Sequence, residues 1–250
     1  MLLSSRMMPE ELQADAALTS ALQPAQGQSD STADSLTEDL ALAQLKDAEL
    51  SSDGVEQISR VAGVMKSRKV RFALASHPRT PRRIALRIIR ELYTFELMQF
   101  ALTPATAADL KRVADELLLS RMTSITLGER ISLARRSSTL VAGALLLDKE
   151  SRVWQPALEN ARLTEAAVVK ALQRSTATRA FVEAVSHHSK WSVRHEVQVA
   201  LLRNAHTPLT KAREFARRIP VRQLRDILHT SRLPEKMKSQ LRREREVSSE

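Results

Sequence analysis

Apolar residues recur along this chain at intervals of three and four, and the stretch after Pro81 shows the period most clearly. At 100° per residue, Ile84, Ala85, Ile88, Ile89 and Leu92 fall within an arc of about 140°, with Arg83, Arg87 and Arg90 clustered opposite. That spacing predicts a helix over 81–92 with one buried face. The same period predicts helices over 55–76, 94–102, 105–122, 127–136, 140–147, 150–160, 164–173, 178–187, 191–204, 208–219, 221–230 and 234–246. Within 55–76 the inward residues are Ile58, Val61, Val64 or Met65, and Phe72; within 105–122 they are Leu110, Val113, Ala114, Leu117 and Leu118. No stretch alternates with period two, so no sheet is expected.

The breaks between these helices also resemble one another. Val197–Ala212 reads as a helix end, a tight joint and a helix start. Asn204 tolerates the left-handed conformation that closes a helix, the Thr207 hydroxyl suits a cap, and Pro208 suits the first helical position. Thr80-Pro81 repeats Thr207-Pro208, Asn160 with Thr164 repeats Asn204 with its cap, and Thr139, Thr103-Pro104 and Pro234 mark further copies. The intervals between Pro81, Pro104, Leu140, Thr164, Pro208 and Pro234 alternate short and long, which gives a larger unit of roughly 60–70 residues. Thr80–Ala101 overlays Thr207–Leu228 without a gap, pairing Ala85 with Ala212, Ile88 with Phe215, Leu92 with Ile219 and Leu97 with Leu224. Leu201, Leu202, Phe215 and Ile219 are then expected to form one buried seam across the joint. Units that share a joint and cannot each bury a face alone point to an array.

The pattern A-L-x-x-[N/H]-x-x-T-P, preceded by W-x-V-R as in Trp191-Ser-Val-Arg194, resembles bacterial HEAT-like repeats and the related helical leucine-rich-repeat-variant units over roughly residues 57–246. The resemblance implies an all-α fold, a short right-handed α-solenoid of helical hairpins, used for protein–protein contact and sometimes for nucleic acid. In some variant-repeat proteins a cysteine cluster holding iron–sulfur precedes the repeats. This chain has no cysteine, so that part does not carry over, and no catalytic motif comes with the resemblance.

Charge divides the chain. Residues 1–59 hold eleven Asp and Glu against Arg6 and Lys46, a net charge of −9, so the total of +10 leaves +19 on the rest. Residues 1–34 are rich in Ser, Gln, Ala, Asp and Thr with little apolar period, and are expected to be disordered. Ser35-Leu-Thr-Glu38 has capping-box spacing, and a helix through Leu36, Leu40 and Leu45 towards Leu50 is expected to form on docking. The division is therefore an acidic arm over 1–54, with one helix at 35–50, and a HEAT-like solenoid over 55–247. The longest apolar run, Val141–Leu147, is too short to span a bilayer. No apolar run follows Met1 in the manner of a signal sequence, so a cytoplasmic protein with no membrane contact is expected.

The basic clusters are the candidate site: Arg83, Arg87 and Arg90 beside Arg82; Arg135 and Arg136; Arg213, Arg217, Arg218, Arg222 and Arg225; and, near the end, Arg242, Arg243 and Arg245. Stacked in register they would line one surface for an acidic protein or a phosphate backbone; as solvated faces of amphipathic helices they would need no partner. Other chemistry lacks its motifs. His187, His188 and His195 with Glu196 match no metal spacing, five glycines provide no phosphate loop, and no nucleophile elbow is present. Trp154 and Trp191 with Asp148 are too few for a base-reading glycosylase pocket, and both indoles read as core anchors. No enzyme activity, cofactor, metal or small-molecule substrate is expected. The reading is a non-catalytic scaffold that binds a protein partner through its basic surface; the alternative is a protein that reads a DNA or RNA backbone.

Overall fold

The computed structural model describes residues 36–247. They form sixteen helices and no strand: α1 (Glu38–Gln44), α2 (Ser52–Arg60), α3 (Ala62–Met65), α4 (Arg68–Ser76), α5 (Arg82–Glu91), α6 (Thr94–Leu102), α7 (Ala108–Ser120), α8 (Leu127–Arg136), α9 (Thr139–Leu145), α10 (Ser151–Leu158), α11 (Glu165–Gln173), α12 (Arg179–His187), α13 (His195–Arg203), α14 (Leu209–Arg218), α15 (Val221–His229) and α16 (Glu235–Val247). The fold is all-α among the described residues, and none of these helices is long and apolar enough to cross a membrane. The stretch 1–34 and Ser35 of the expected capping box lie outside the described residues.

The amphipathic period placed most of these helices, and their inward faces are buried as the spacing requires. Ile84, Ala85, Ile88, Ile89 and Leu92 are all buried, as are Leu201, Leu202, Phe215 and Ile219 of the expected seam between α13 and α14. At about 1.5–3 kcal/mol for each large apolar side chain removed from water, these faces outweigh the weak helix-forming tendency of nine-residue segments.

Three expectations fail for local reasons. The single helix over 55–76 is broken into α2, α3 and α4. Val61 is extended (φ −77°, ψ 100°), and Ser67 is extended with its hydroxyl accepting from Val70 N at 3.4 Å to start a new helix. The helix expected from Trp191 starts at His195 instead. Trp191 occupies the preceding turn, where its indole is buried and donates to Leu158 O at 2.9 Å. Asn204 is not left-handed: at φ −92° and ψ 134° it is extended, and its side chain does the work. Packing also reaches further towards the N-terminus than the boundary expected near Val55. Thr37 caps α1, which packs on α4 and buries Ala41 and Leu45.

The joints share one chemistry. Asn204 accepts from His206 N at 2.9 Å and donates to Leu172 O at 2.7 Å; Asn160 accepts from Arg162 N at 2.8 Å and donates to Ala134 O at 2.8 Å. His77 uses its two ring nitrogens in the same way, Nδ1 towards Arg79 N at 3.2 Å and Nε2 towards Asp47 O at 2.9 Å. Ser231 accepts from Leu233 N and donates to Leu202 O at 2.6 Å. Each residue braces its own turn and satisfies a carbonyl at an earlier joint that no helix bond can reach. The threonines of the Thr-Pro pairs point backwards rather than capping forwards: Thr207 donates to Leu201 O at 2.6 Å and Thr80 to Leu74 O at 2.5 Å, while Pro81 and Pro208 take the cap positions.

Helices pack on their second neighbours in two series, α4–α6–α8–α10–α12 and α5–α7–α9–α11–α13–α15, with α14 and α15 both against α16. The helix bounds themselves recur. Those of α4, α5, α6 and α7 begin at 68, 82, 94 and 108, and those of α13, α14, α15 and α16 at 195, 209, 221 and 235, a constant offset of 127 with equal lengths in each pair.

Candidate partner-binding face

Ten of the arginines singled out in the sequence are divided between the two series and α14. Arg83, Arg87 and Arg90 lie on α5 and Arg222 and Arg225 on α15, whereas Arg135 and Arg136 end α8 in the other series; Arg213, Arg217 and Arg218 lie on α14. Several are neutralised on the spot. Arg83 pairs with Glu56, Arg213 lies 2.9 Å from Glu244, and Arg218 lies 2.9 Å from Glu214. The Arg83 guanidinium, helped by Arg60, holds the Glu56 carboxyl below the usual carboxylate range. Glu214 is lowered first by its hydrogen bond from Lys211. By contrast Arg87, Arg90, Arg135, Arg136, Arg217 and Arg222 are exposed and have no carboxylate partner among the described residues.

Two open clefts flank the end of α8. One, of about 490 Å³, lies between α6 and α8 and is lined by Phe95, Met98, Gln99, Leu102, Arg136 and Arg162. Its floor is apolar, and Phe95 remains 46% exposed, one of few large apolar side chains so placed among the described residues. The Asn160 joint fixes its rim: Asn160 Oδ1 holds the amide of Arg162, and Arg162 Nη1 reaches the Arg136 carbonyl at 3.3 Å. Two guanidinium groups without carboxylates thus stand beside an uncovered aromatic ring. Arg162 escaped the sequence reading because it is isolated in the chain; its position two residues after Asn160 was the available signal.

The second cleft, of about 590 Å³, lies on the other side of Arg135 and is bounded by Trp154, Pro156, Glu159, Ala184 and His188. Its lining includes a His188–Glu159 pair. His188 Nδ1 accepts from Lys190 N at 3.2 Å, so Nε2 carries the proton and donates to Glu159 at 3.0 Å. Both imidazole nitrogens are thus engaged within the protein, while the Glu159 carboxylate stays exposed. Neither indole offers a free stacking face: Trp154 is buried edge-on to Phe181 at 5.9 Å, and Trp191 is buried beneath Lys190. Asp148 is held by Arg130 at 3.1 Å. Among the described residues no group of three or more His, Asp or Glu is placed to hold a metal ion. Comparison with protein-family models, with curated proteins and with solved structures yields no match to this chain.

Proposed function

We propose that this chain is a HEAT-like α-solenoid that works as a non-catalytic scaffold, and that it holds a protein partner in the α6–α8 cleft. The alternation of packing between second neighbours, and the constant offset between α4–α7 and α13–α16, support the solenoid reading. The observation that carries the binding reading is Phe95, exposed on an apolar floor and rimmed by Arg136 and Arg162, neither of which has a carboxylate partner among the described residues. An apolar anchor beside unpaired guanidinium groups is the chemistry of a hot spot for a segment that carries a bulky apolar residue next to Asp or Glu.

The test is a selection of displayed random peptides on the full chain, repeated on the Arg136→Glu/Arg162→Glu variant. Enrichment of sequences pairing Leu, Met or an aromatic residue with Asp or Glu is expected, with its loss on charge reversal. Enrichment that is identical on both proteins, or absent from both, removes the cleft from the proposal. Reading of a nucleic-acid backbone by the whole basic surface is the second possibility. It gains support only at the end of the chain, where the arginines converge.

A further inference from the structure

The last three helices differ in charge from the three that match them. Residues 209–247 carry twelve Lys and Arg against five Asp and Glu, whereas 82–120 carry six against five. The excess is concentrated in a groove of about 370 Å³ between α14 and α16, lined by Arg213, Arg217, Arg243 and Arg245 around Glu244, with Leu241 as its floor. An adjoining small cleft against α15 shares Arg245 and adds Arg225 and Arg242. At the matching positions of α5 and α7 stand Leu86, Arg90, Glu116 and Leu118, of which Leu118 is buried.

The outermost described helices need a polar outer face, but not one of a single sign. A face of mixed charge would avoid the self-repulsion that arginines this close together impose. Their geometry is also incomplete. Arg213 Nε and Arg245 Nε are buried without a hydrogen-bond acceptor, Arg213 Nε lying 2.9 Å from Glu244 outside hydrogen-bond geometry. Arg245 Nη2 spends its own bond on the Ile219 carbonyl at the end of α14. Arg217 and Arg243 are exposed and have no carboxylate partner among the described residues. Exposed guanidinium groups without carboxylates are what anionic oxygens would satisfy, and arginine, not lysine, offers phosphate a planar fork.

We propose that the α14–α16 groove binds the phosphodiester backbone of a nucleic acid. Exposed Arg217 and Arg243 beside the half-buried Arg213 and Arg245 give the groove several guanidinium groups, which suits successive phosphates on one strand better than an isolated anion. The lining of both clefts is free of aromatic side chains, so bases have nothing to stack on and the contact is blind to sequence. This site is separate from the α6–α8 cleft, and either can fail without the other.

The test measures binding of a labelled random-sequence duplex to the full chain by fluorescence anisotropy across a salt series. Three proteins are compared: the wild type, Arg217→Gln/Arg243→Gln, and Arg87→Gln/Arg90→Gln on α5. All four positions are exposed, so circular dichroism should confirm unchanged folding. The groove variant is expected to bind about tenfold more weakly, with the slope of log K against log salt reduced by about 0.9 for each lost contact. The α5 variant is expected to match the wild type. Absence of salt-dependent duplex binding at low salt, equal losses in both variants, or competition by poly-glutamate or tripolyphosphate as effective as by unlabelled duplex at equal charge would each overturn the assignment.

Discussion

Residues 38–120 and 165–247 are built on one plan and finished differently. Helix starts coincide at the constant offset for α1 with α11, α2 with α12, and α4–α7 with α13–α16. The caps coincide as well: Thr37 with Thr164, and Ser51 with Thr178, each accepting from an amide three residues on. The buried positions keep their character, as in Val70 with Val197, Leu74 with Leu201, Ile88 with Phe215 and Leu97 with Leu224. Other positions diverge, although Arg90 and Arg217 still match. Leu86 becomes Arg213, Phe95 becomes Arg222, Asp115 becomes Arg242 and Leu118 becomes Arg245. Caps and core therefore set where these helices lie, and what each surface does is settled independently. α7 is covered in turn by α9, whereas α16 carries no further described helix, so positions that are core in the first segment are surface in the second.

The shared core is where a substitution should cost most. Phe215 and Ile88 occupy matching places and are both buried, but the phenyl ring fills more volume. Phe215→Ala is expected to cost about 3–5 kcal/mol and Ile88→Ala about 2–5 kcal/mol, through lost transfer energy plus the cavity left behind. Urea midpoints measure both. If the phenylalanine variant shifts no further than a surface substitution, the two segments do not share a packing plan.

The joints give a sharper comparison, because His77 and Asn204 differ chemically yet make the same two bonds. Asn204→Leu strands the Leu172 carbonyl and the His206 amide, and is expected to cost about 2–3 kcal/mol. His77→Asn and Asn204→His keep a donor and an acceptor at the same place, and each should stay within about 1 kcal/mol of the wild type. An exchange that costs as much as the leucine would show that ring shape matters at this position and not hydrogen bonding.

The same joints show what was legible in the sequence. The 3.6-residue period of Ile84, Ile88 and Leu92 placed α5 to within a residue, because burial of one face dominates the energetics of a short helix. The equivalence of Thr80-Pro81 and Thr207-Pro208 was legible for the same reason, since Leu74 and Leu201 precede them at equal distance. What those threonines do was not legible. A hydroxyl can turn forward to a free amide or back to a free carbonyl, and only the packed structure shows which is unsatisfied. The split of 55–76 was hidden because Val61 and Ser67 fit a helix period as well as they fit its breaks. The apolar cleft was hidden most of all: Phe95 and Met98 lie in an apolar segment whose sequence does not say which side chains face out, and their exposure depends on how α8 sits against α6.

The smallest expected effect concerns Asp115, and it separates covered from uncovered surface. Asp115 lies on α7 beneath α9, buried, where the Ser138 hydroxyl at the start of α9 donates to its carboxylate while Oδ1 has no donor. Burial pushes its pKa up from the ordinary 3.8, and the Ser138 bond only partly opposes this. The sign follows directly. Because the folded state holds this proton more tightly than the unfolded chain, stability falls as pH rises from about 3.8 through the raised value. Asp115→Asn removes the charge and keeps the shape, so it should stabilise the protein at pH 7 by about 1 kcal/mol, with the gain vanishing near pH 3. The matching position carries exposed Arg242, with no described helix laid over it. Arg242→Gln is therefore expected to change stability by less than about 0.5 kcal/mol and without this pH profile. Thermal unfolding of both variants from pH 3 to pH 7 decides the matter. A pH-independent gain for Asp115→Asn would mean that the carboxylate is hydrated in the folded protein and that α9 does not seal it.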